Sequence, residues 1–342
     1  MEAYKQILPE GYTLCVYNEE KLIFSNKGRW LNPLFSLEQF LTTYTGEKSC
    51  LSVHDTAAGK AAAVLMVRMG IKRAHINLMS SLAIEYYQAH DVEISWERKV
   101  DKLACKTEEL LSTLDDADEM YRILRMRAKL VQGVTVEVQD ASFGYGDKTL
   151  FSHISFSVPE GGRLLIQGDN GKGKTTLLKA LMGKLKLDEG SILIDGKDPQ
   201  HQSPRVLGYI KQQQSQQQFP VSVREVISMA VDESLPQERQ KWEIDTALRR
   251  TGIQELANRN FYTLSGGERQ KVALSRCLCQ KARLLLLDEP TSFLDAKSRE
   301  TLLETITSLT LDEMPTIILV THDKELERDL AWPKLTLGGS DE

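Results

Sequence analysis

The residues best suited to chemistry are glycines, a lysine and a threonine at positions 168–175, GDNGKGKT. This segment matches the pattern GxxxxGK[ST] and lies between an apolar run predicted as a strand, 163–167, and a predicted helix, 175–185. Its glycines let backbone N–H groups face a phosphate, and the helix N-terminus favours an anion. We predict a nucleotide site in which Lys174 meets the β- and γ-phosphates and Thr175 meets Mg²⁺. Taken alone, the motif leaves a glycine-rich structural turn as the alternative.

Acidic and histidine side chains follow two further apolar runs. Residues 284–289, LLLLDE, are typical of a strand that is buried on both faces and ends in two carboxylates. Because ligands bind at the carboxyl edge of such sheets, we predict that Asp288 holds Mg²⁺ through water and that Glu289 orients or deprotonates the attacking water. The alternative is a core strand with a solvated acidic end. His322 follows the apolar run 316–321 and would reach the γ-phosphate, although a lone histidine there is more often structural.

Residues 264–270, LSGGERQ, resemble the signature sequence of ATP-binding cassette (ABC) ATPases. Ser265 and the paired glycines after it would begin a helix whose exposed N–H groups form another anion site. In that family, the signature of one subunit covers the ATP held on the phosphate loop of the other. The resemblance therefore implies a head-to-tail dimer of two cassettes with two composite sites, in which Ser265, Gly266, Gly267 and Glu268 contact the partner's nucleotide.

Other residues match the family pattern in the expected order. The resemblance implies that Tyr145 stacks on adenine, with an ordinary sheet aromatic as its alternative. Gln212 would touch Mg²⁺ and the attacking water, although the adjoining glutamines leave the choice of residue open; Asp295 in the segment SFLD would contact the partner cassette. The ATP-binding residues so implied are Tyr145, Gly168, Asp169, Asn170, Gly171, Lys172, Gly173, Lys174, Thr175 and Thr176. Asp169 and Lys172 depart from the residues commoner in the family, and we expect their side chains to face solvent.

The resemblance covers about 133–340 and implies an α/β P-loop NTPase domain, 131–342, with antiparallel β and helical subdomains. The charged amphipathic stretch 115–130 predicts a helix that links two domains. Residues 1–114 alternate predicted strands and helices, as in a smaller three-layer α/β domain. Their segments HDTAAGKAA (54–62) and CKTE (105–108) resemble a bacterial family of unassigned function with a cytidine-deaminase-like fold.

The first domain is not expected to hold zinc or to deaminate a base. A zinc deaminase needs the strings H-x-E and P-C-x-x-C, and neither is present. Lys60, within an alanine-rich predicted helix, could meet an anion near the helix start or simply reach solvent.

Composition narrows the classes of partner. The formal charge is −5, without the basic excess that binding to a phosphate backbone requires, so no nucleic acid is expected. No apolar run is long enough to span a bilayer, and the N-terminus lacks the features of a secretory signal, which together predict a cytoplasmic protein. The five cysteines show no disulfide or metal-ligand spacing.

The resemblance then implies a function. It predicts that this chain is an ATP-hydrolysing subunit of a transporter and pairs with a second cassette, either of the same chain or of another. It also predicts separate integral membrane permease subunits, which hold this chain at the inner face of the cell membrane. The alternative is a soluble ABC ATPase outside transport, regulated by a ligand or partner of the first domain. Neither the cargo nor the direction of transport follows from the residues.

Overall fold

The chain divides into two compact units, Met1–Leu130 and Val131–Glu342. The structure is a computed structural model, and it describes residues 2–146, 148–169, 171–211, 220–291, 299–300, 302–306, 314–330 and 332–338.

The first unit is built on a mixed five-stranded sheet. Its strands are β1 (Leu14–Asn18), β2 (Lys21–Asn26), β3 (Leu51–Ala58), β4 (Arg73–Ser80) and β5 (Glu93–Val100), in the spatial order β2-β1-β3-β4-β5. β1 is antiparallel to β2 and β3, whereas β3, β4 and β5 are parallel. Parallel neighbours need crossover connections, and helices supply them here. The predicted α/β architecture is confirmed, while the likeness to deaminases stays a prediction.

Five α-helices belong to the described part of this unit: α1 (Asn32–Leu41), α2 (Lys60–Arg68), α3 (Ser81–Ala89), α4 (Lys106–Leu111) and α5 (Ala117–Arg127). The sequence predicts α2 from Ala57 onward, but the helix begins three residues later. Ala57 and Ala58 instead pair with Leu78 and Met79 of β4. The pairing of β3 with β4 thus overrides the helix propensity of alanine at these two positions.

The stretch interpreted as a linker contains α5, which packs within the first unit. Met120, Tyr121 and Leu124 are buried there. The Tyr121 hydroxyl donates to Glu38 Oε1 at 2.7 Å, and Arg68 Nη1 lies 2.9 Å from Asp118 Oδ1.

The second unit contains two sheets. Its strands are β6 (Val136–Tyr145), β7 (Lys148–Val158), β8 (Arg163–Gln167), β9 (Glu189–Ile194), β10 (Leu207–Ile210), β11 (Leu284–Asp288), β12 (Thr316–Thr321) and β13 (Lys334–Thr336). β7, β6 and β9 form an antiparallel sheet. The other sheet has the order β10-β11-β12-β8-β13, and every neighbouring pair in it is parallel. In a parallel sheet all carboxyl ends lie at one edge, so the residues that follow β8, β11 and β12 meet there.

The helices of the second unit whose bounds lie within the described residues are α6 (Lys174–Leu181), α7 (Val223–Ser228), α8 (Gln237–Arg250), α9 (Gly266–Gln280) and α10 (Lys324–Leu330). α7, α8 and part of α9 share an apolar core that includes Val223, Ile227, Leu248 and Val272. This cluster forms the helical subdomain that the sequence predicts. The central strands β11 and β12 are buried along their whole length, as their unbroken apolar sequence predicts.

Candidate nucleotide-binding site

The glycine-rich loop follows β8 directly and leads into α6. Gly168 and Gly173 have φ values of +149° and +88°, which other residues rarely adopt. A Cβ atom at Gly168 would lie 2.6 Å from the carbonyl oxygen of Leu337, and one at Gly173 would lie 3.0 Å from Phe151 Cδ1. Glycine is therefore required at both positions, and the loop curls around the first turn of α6. Such a loop offers backbone N–H groups and the helix N-terminus to an anion.

Lys174, the first residue of α6, keeps its ammonium group inside this loop. Its side chain is 7% exposed, and Nζ donates to the carbonyl oxygens of Gly168 at 2.6 Å and Asp169 at 3.1 Å. Nζ also lies 3.9 Å from Glu289 Oε1. Asp169 and Lys172 are exposed. The buried cation thus lies between the loop and the acidic end of β11.

Asp288 ends β11 and is only 2% exposed. Thr175 Oγ1 donates to its Oδ1 at 3.1 Å, and the Tyr209 hydroxyl donates to its Oδ2 at 3.0 Å. Burial raises the pKa of Asp288; the hydrogen bonds from the two hydroxyl groups oppose this shift, and the charge of Glu289 adds to it. Since burial disfavours the carboxylate, a cation beside Asp288 would stabilise its charged form.

Tyr209 is a member of this site that the sequence did not indicate. It lies on β10, which pairs with β11 so that Tyr209 is opposite Leu286. Burial raises the pKa of the Tyr209 phenol strongly, and the charge of Asp288 adds to the shift. The phenol therefore remains a hydrogen-bond donor to Asp288. A tyrosine three residues before Gln212, the predicted Mg²⁺ ligand, is the signal that could have been followed.

Glu289 follows β11 and has a left-handed backbone, with φ at +49°. Its backbone N–H donates to the Val320 carbonyl oxygen at 3.0 Å, and its side chain is 8% exposed. His322 Nδ1 lies 2.8 Å from Oε1, while Thr321 Oγ1 and the His322 N–H lie 3.4 Å from Oε2. A non-glycine residue in this conformation costs about 1–3 kcal/mol, and such strain is concentrated at functional sites. The surrounding contacts hold the carboxylate in place against that strain.

The donor set fits a hard divalent cation. Thr175 and Asp288 contribute hydroxyl and carboxylate oxygens, which are the ligand types that Mg²⁺ prefers. The two side chains are already in contact, so they could share one ion directly or through water. Gln212, the third predicted ligand, lies outside the described residues, as do Asn170 and Asp295.

The signature segment forms the N-terminus of α9. Ser265 is the N-cap: its Oγ accepts a hydrogen bond from the Glu268 N–H at 3.3 Å, and its own N–H donates to Glu268 Oε2 at 2.7 Å. The backbone hydrogen bond from Ser265 lowers the pKa of Glu268. Ser265 is exposed, Gly266 is half-buried and Gly267 is buried. The capping box leaves an exposed helix start that can face a second molecule.

Tyr145 and Thr176 are two further residues that the sequence predicts to contact ATP. Tyr145 ends β6 and is 58% exposed, with its ring against Phe143 at a centroid distance of 4.9 Å and an interplanar angle of 89°. The exposed ring face is free to stack on a planar group. Thr176 is half-buried in the first turn of α6. Together with the groups around Asp288 and Glu289, the described residues can hold a nucleoside triphosphate and activate a water molecule.

Comparison with known families matches both units. Residues 151–292 match the family described as "ABC transporter", and residues 3–127 match a family described as a domain of unknown function (DUF1893). None of the helices in the described part of the chain is long and apolar enough to cross a membrane.

Similar proteins come from several organisms. A putative ABC transporter ATP-binding protein of Pyrococcus horikoshii is 40% identical over 208 residues, which are 59% of this chain and 79% of the relative. The energy-coupling factor transporter ATP-binding protein EcfA1 of Bacillus licheniformis is 33% identical over 55% of this chain and 70% of its own length. Among solved structures, cbiO1 of Clostridium perfringens, described as part of the ABC transporter complex cbiONQ, has 31% identity and a TM-score of 0.51 over 55% of this chain and 78% of that chain.

Proposed function

Because this chain belongs to the ABC transporter ATP-binding proteins, we propose that two such cassettes close around ATP and Mg²⁺ and drive transport through separate membrane-spanning subunits. The predicted membership, the P-loop ATPase fold and ATP hydrolysis are confirmed at the level of the family. The residue roles, the metal, the cassette partner and the permease are the proposal.

One observation carries the proposed chemistry: two consecutive acidic residues at the carboxyl end of β11 have different partners. Asp288 contacts the Thr175 hydroxyl, and Glu289 contacts the His322 ring. The first pair suits an ion bound to phosphate oxygens, because its atoms are hard oxygen donors. The second pair suits proton transfer, because a carboxylate supported by an imidazole can orient a water molecule and accept its proton. Lys174 Nζ lies 3.9 Å from Glu289 Oε1 and donates to carbonyl oxygens of the loop.

These residues support the following hydrolysis step. The loop N–H groups and Lys174 would bind the β- and γ-phosphates, and Thr175 with Asp288 would hold Mg²⁺. When bound, Mg²⁺ neutralises charge on the phosphate oxygens. Glu289 would orient the attacking water and take its proton as the bond to the γ-phosphorus forms, while ADP leaves. His322 would fix the Glu289 carboxylate and, from its exposed position, reach toward the γ-phosphate.

The exposed start of α9 supports the second cassette as a partner. Ser265 offers its hydroxyl group and an adjacent helix N-terminus to solvent, and in the family pattern these groups meet the nucleotide of the other subunit. The same chain or a related one could serve as the partner. Either arrangement gives two composite sites, each with the phosphate loop of one subunit and the signature of the other.

The relatives support membrane association through a permease. EcfA1 is named as the ATP-binding protein of a transporter, and cbiO1 is described as part of a transporter complex. We propose by extension that this chain is peripheral on the inner face of the membrane.

Copurification from its natural host tests this assignment. The tagged full chain should be recovered from membranes in mild detergent together with a polytopic membrane protein in comparable amount, and the untagged chain should give no such recovery. A chain found alone and entirely in the membrane-free fraction would contradict the transport role and favour the alternative of an ABC ATPase outside transport.

A further inference from the structure

A cavity of about 430 Å³ lies in the first unit, which carries none of the residues of the proposed ATPase site. The loop before α1, the end of β3, the start of α2 and the start of α4 form its walls. This volume is within the range of pockets that hold small organic molecules.

Glu108 contributes an unusual carboxyl group to the cavity wall. The residue is 1% exposed, and its Oε2 accepts a hydrogen bond from the Lys60 N–H at the start of α2, at 2.9 Å. Its Oε1 is buried and has no hydrogen-bond partner among the described residues. An unpaired buried carboxylate oxygen is costly, and buried polar groups are nearly always hydrogen-bonded. Glu108 lines the cavity, so the wall of the cavity contains an acceptor that no described residue satisfies.

The sequence around this carboxyl group leaves room for it. A Cβ atom at Gly59 would collide with the Glu108 carboxyl group, so glycine is what permits Glu108 to reach α2. Lys60, the nearest cation along the chain, directs its Nζ elsewhere and donates to the Leu114 carbonyl oxygen at 2.6 Å. Lys60 therefore binds Glu108 through its backbone and leaves Oε1 unpaired.

A second carboxyl group faces the same cavity. Asp55 is 8% exposed, and its Oδ1 accepts a hydrogen bond from the Ala57 N–H at 3.2 Å. Burial raises the pKa of Asp55 to about 7. Arg29 is the cation that lines the cavity, and it is exposed. Two carboxyl groups thus lie on the wall of the cavity, and an anionic ligand would meet repulsion wherever they are ionised.

The rest of the wall is apolar and suits a flat molecule. Trp30 lines the cavity with a left-handed backbone, φ at +58°, and its side chain is 45% exposed. Leu31, Ala61 and Leu103 add smaller apolar surfaces. A strained, exposed tryptophan beside a cavity is a typical feature of a ligand clamp, since its ring can cover an aromatic body.

We propose that this cavity binds a small organic cation in which an amidine- or amine-type N–H group adjoins a flat apolar body, with Glu108 Oε1 accepting from the N–H group. A charged N–H donor forms a stronger hydrogen bond to a carboxylate than a neutral donor does. The apolar body is covered by Trp30 and the small side chains of α2. The ligand therefore satisfies the unmet acceptor and the apolar wall together.

Three probes of the same shape test the chemical class on the full chain. Benzamidine carries a cationic N–H group, benzamide a neutral one and benzoate a negative charge. Isothermal titration and ligand-observed NMR should show benzamidine binding with a dissociation constant of about 1 mM or lower. Benzamide should bind more weakly, and benzoate should not bind. Benzoate binding as tightly as benzamidine, or no saturable binding of benzamidine, would overturn the proposal.

Two glutamate variants on α4 test the residue. Glu108→Gln has the same shape and can still accept the hydrogen bond from Lys60, but it lacks the charge. It should weaken benzamidine binding about tenfold or more. Glu109→Gln makes the same change at an exposed neighbour and should leave binding unchanged. Equal affinity of wild type and Glu108→Gln, with melting temperatures that show both to be folded, would refute the role of Glu108.

Discussion

His322 Nδ1 lies 2.8 Å from Glu289 Oε1, although 33 positions separate the two residues in the chain. The contact exists because β11 and β12 are parallel neighbours, with Asp288 opposite Val320. The residues that follow the two strands therefore lie at the same edge of the sheet. The imidazole and the more distant Lys174 ammonium both approach Oε1 of this carboxylate, and the Thr321 hydroxyl lies 3.4 Å from Oε2. This geometry makes Glu289 the strongest candidate for activating water.

Replacing Glu289 with glutamine should abolish steady-state ATP hydrolysis and preserve ATP binding. The amide keeps the shape of the side chain but cannot accept the proton of the attacking water, so turnover should fall on the order of 10²–10⁴-fold. Size-exclusion chromatography with ATP should show the variant as a dimer. Glu160→Gln, at an exposed position before β8, serves as the control and should hydrolyse ATP normally. Near wild-type turnover by Glu289→Gln would contradict the role.

Lys174→Ala should weaken nucleotide binding itself, in contrast to the change at Glu289. The variant loses a cation from a site where that cation is 7% exposed, and charge-assisted contacts to phosphate are strong there. We expect affinity for ATP to drop about 10–100-fold in a fluorescence or calorimetric titration. Lys179→Ala removes an exposed lysine from the same helix, α6, and should change affinity little. Equal losses for the two variants would indicate a non-specific charge effect.

Tyr209→Phe should raise the Mg²⁺ concentration that gives half-maximal ATPase activity, since Asp288 loses one of its two hydroxyl donors. The expected increase is about threefold to tenfold, corresponding to one ordinary hydrogen bond of about 1 kcal/mol. The maximal rate at saturating Mg²⁺ should change less. Tyr262→Phe, at a half-buried tyrosine before α9, is the matched control. A fall in maximal rate with unchanged Mg²⁺ dependence would argue that Tyr209 acts elsewhere.

The sequence predicted most of the site because its parts are local. The glycine loop, the strand-terminal carboxylates and the capped start of α9 each lie within one short segment, so their chemistry is visible in the residue order. Tyr209 was missed for the opposite reason. Its role depends on β10 lying next to β11, and the order of strands in a parallel sheet cannot be predicted from the sequence of either strand.

The first unit shows a similar limit. Its strands and helices alternate visibly, yet the start of α2 was misplaced because Ala57 and Ala58 are held in β3 by pairing with β4. The contact of the Glu108 carboxyl group with Gly59 and the Lys60 N–H joins two segments that are distant in the chain, so it is visible only in the folded structure. Strong motifs were thus predictable, whereas pairings over long distances in the chain were not.

Mixing two inactive variants should restore part of the activity if each site is shared between subunits. In a dimer of Ser265→Arg with Lys174→Ala, one site has an intact loop and an intact signature, and the other carries both changes. About half of the wild-type rate per mixed dimer is expected in a steady-state ATPase assay.

Because Ser265 caps α9, the arginine variant alone could also lose about 1 kcal/mol of stability. Restoration by the Lys174→Ala partner separates a contact between subunits from such a folding defect. Ser234→Arg, at an exposed serine before α8, should remain active by itself. Absence of any recovery in the mixture, with both variants folded, would contradict the composite site.

Stability of the first unit should depend on pH through Asp55. Burial raises the pKa of this carboxyl group from 3.8 to about 7, so the folded state binds a proton that the unfolded state releases between these two values. Wild-type stability should therefore fall as the pH rises from about 4 to 7, and the loss should reach a few kcal/mol. Asp55→Asn keeps the acceptor for the Ala57 N–H but cannot ionise, so its advantage over wild type should grow across this window and level off above it.

Thermal unfolding, with amide hydrogen exchange used to identify the transition of residues 1–130, measures the difference at each pH. Asp101→Asn, at an exposed aspartate, should show no such trend, and a constant difference between Asp55→Asn and wild type at every pH would contradict the raised pKa.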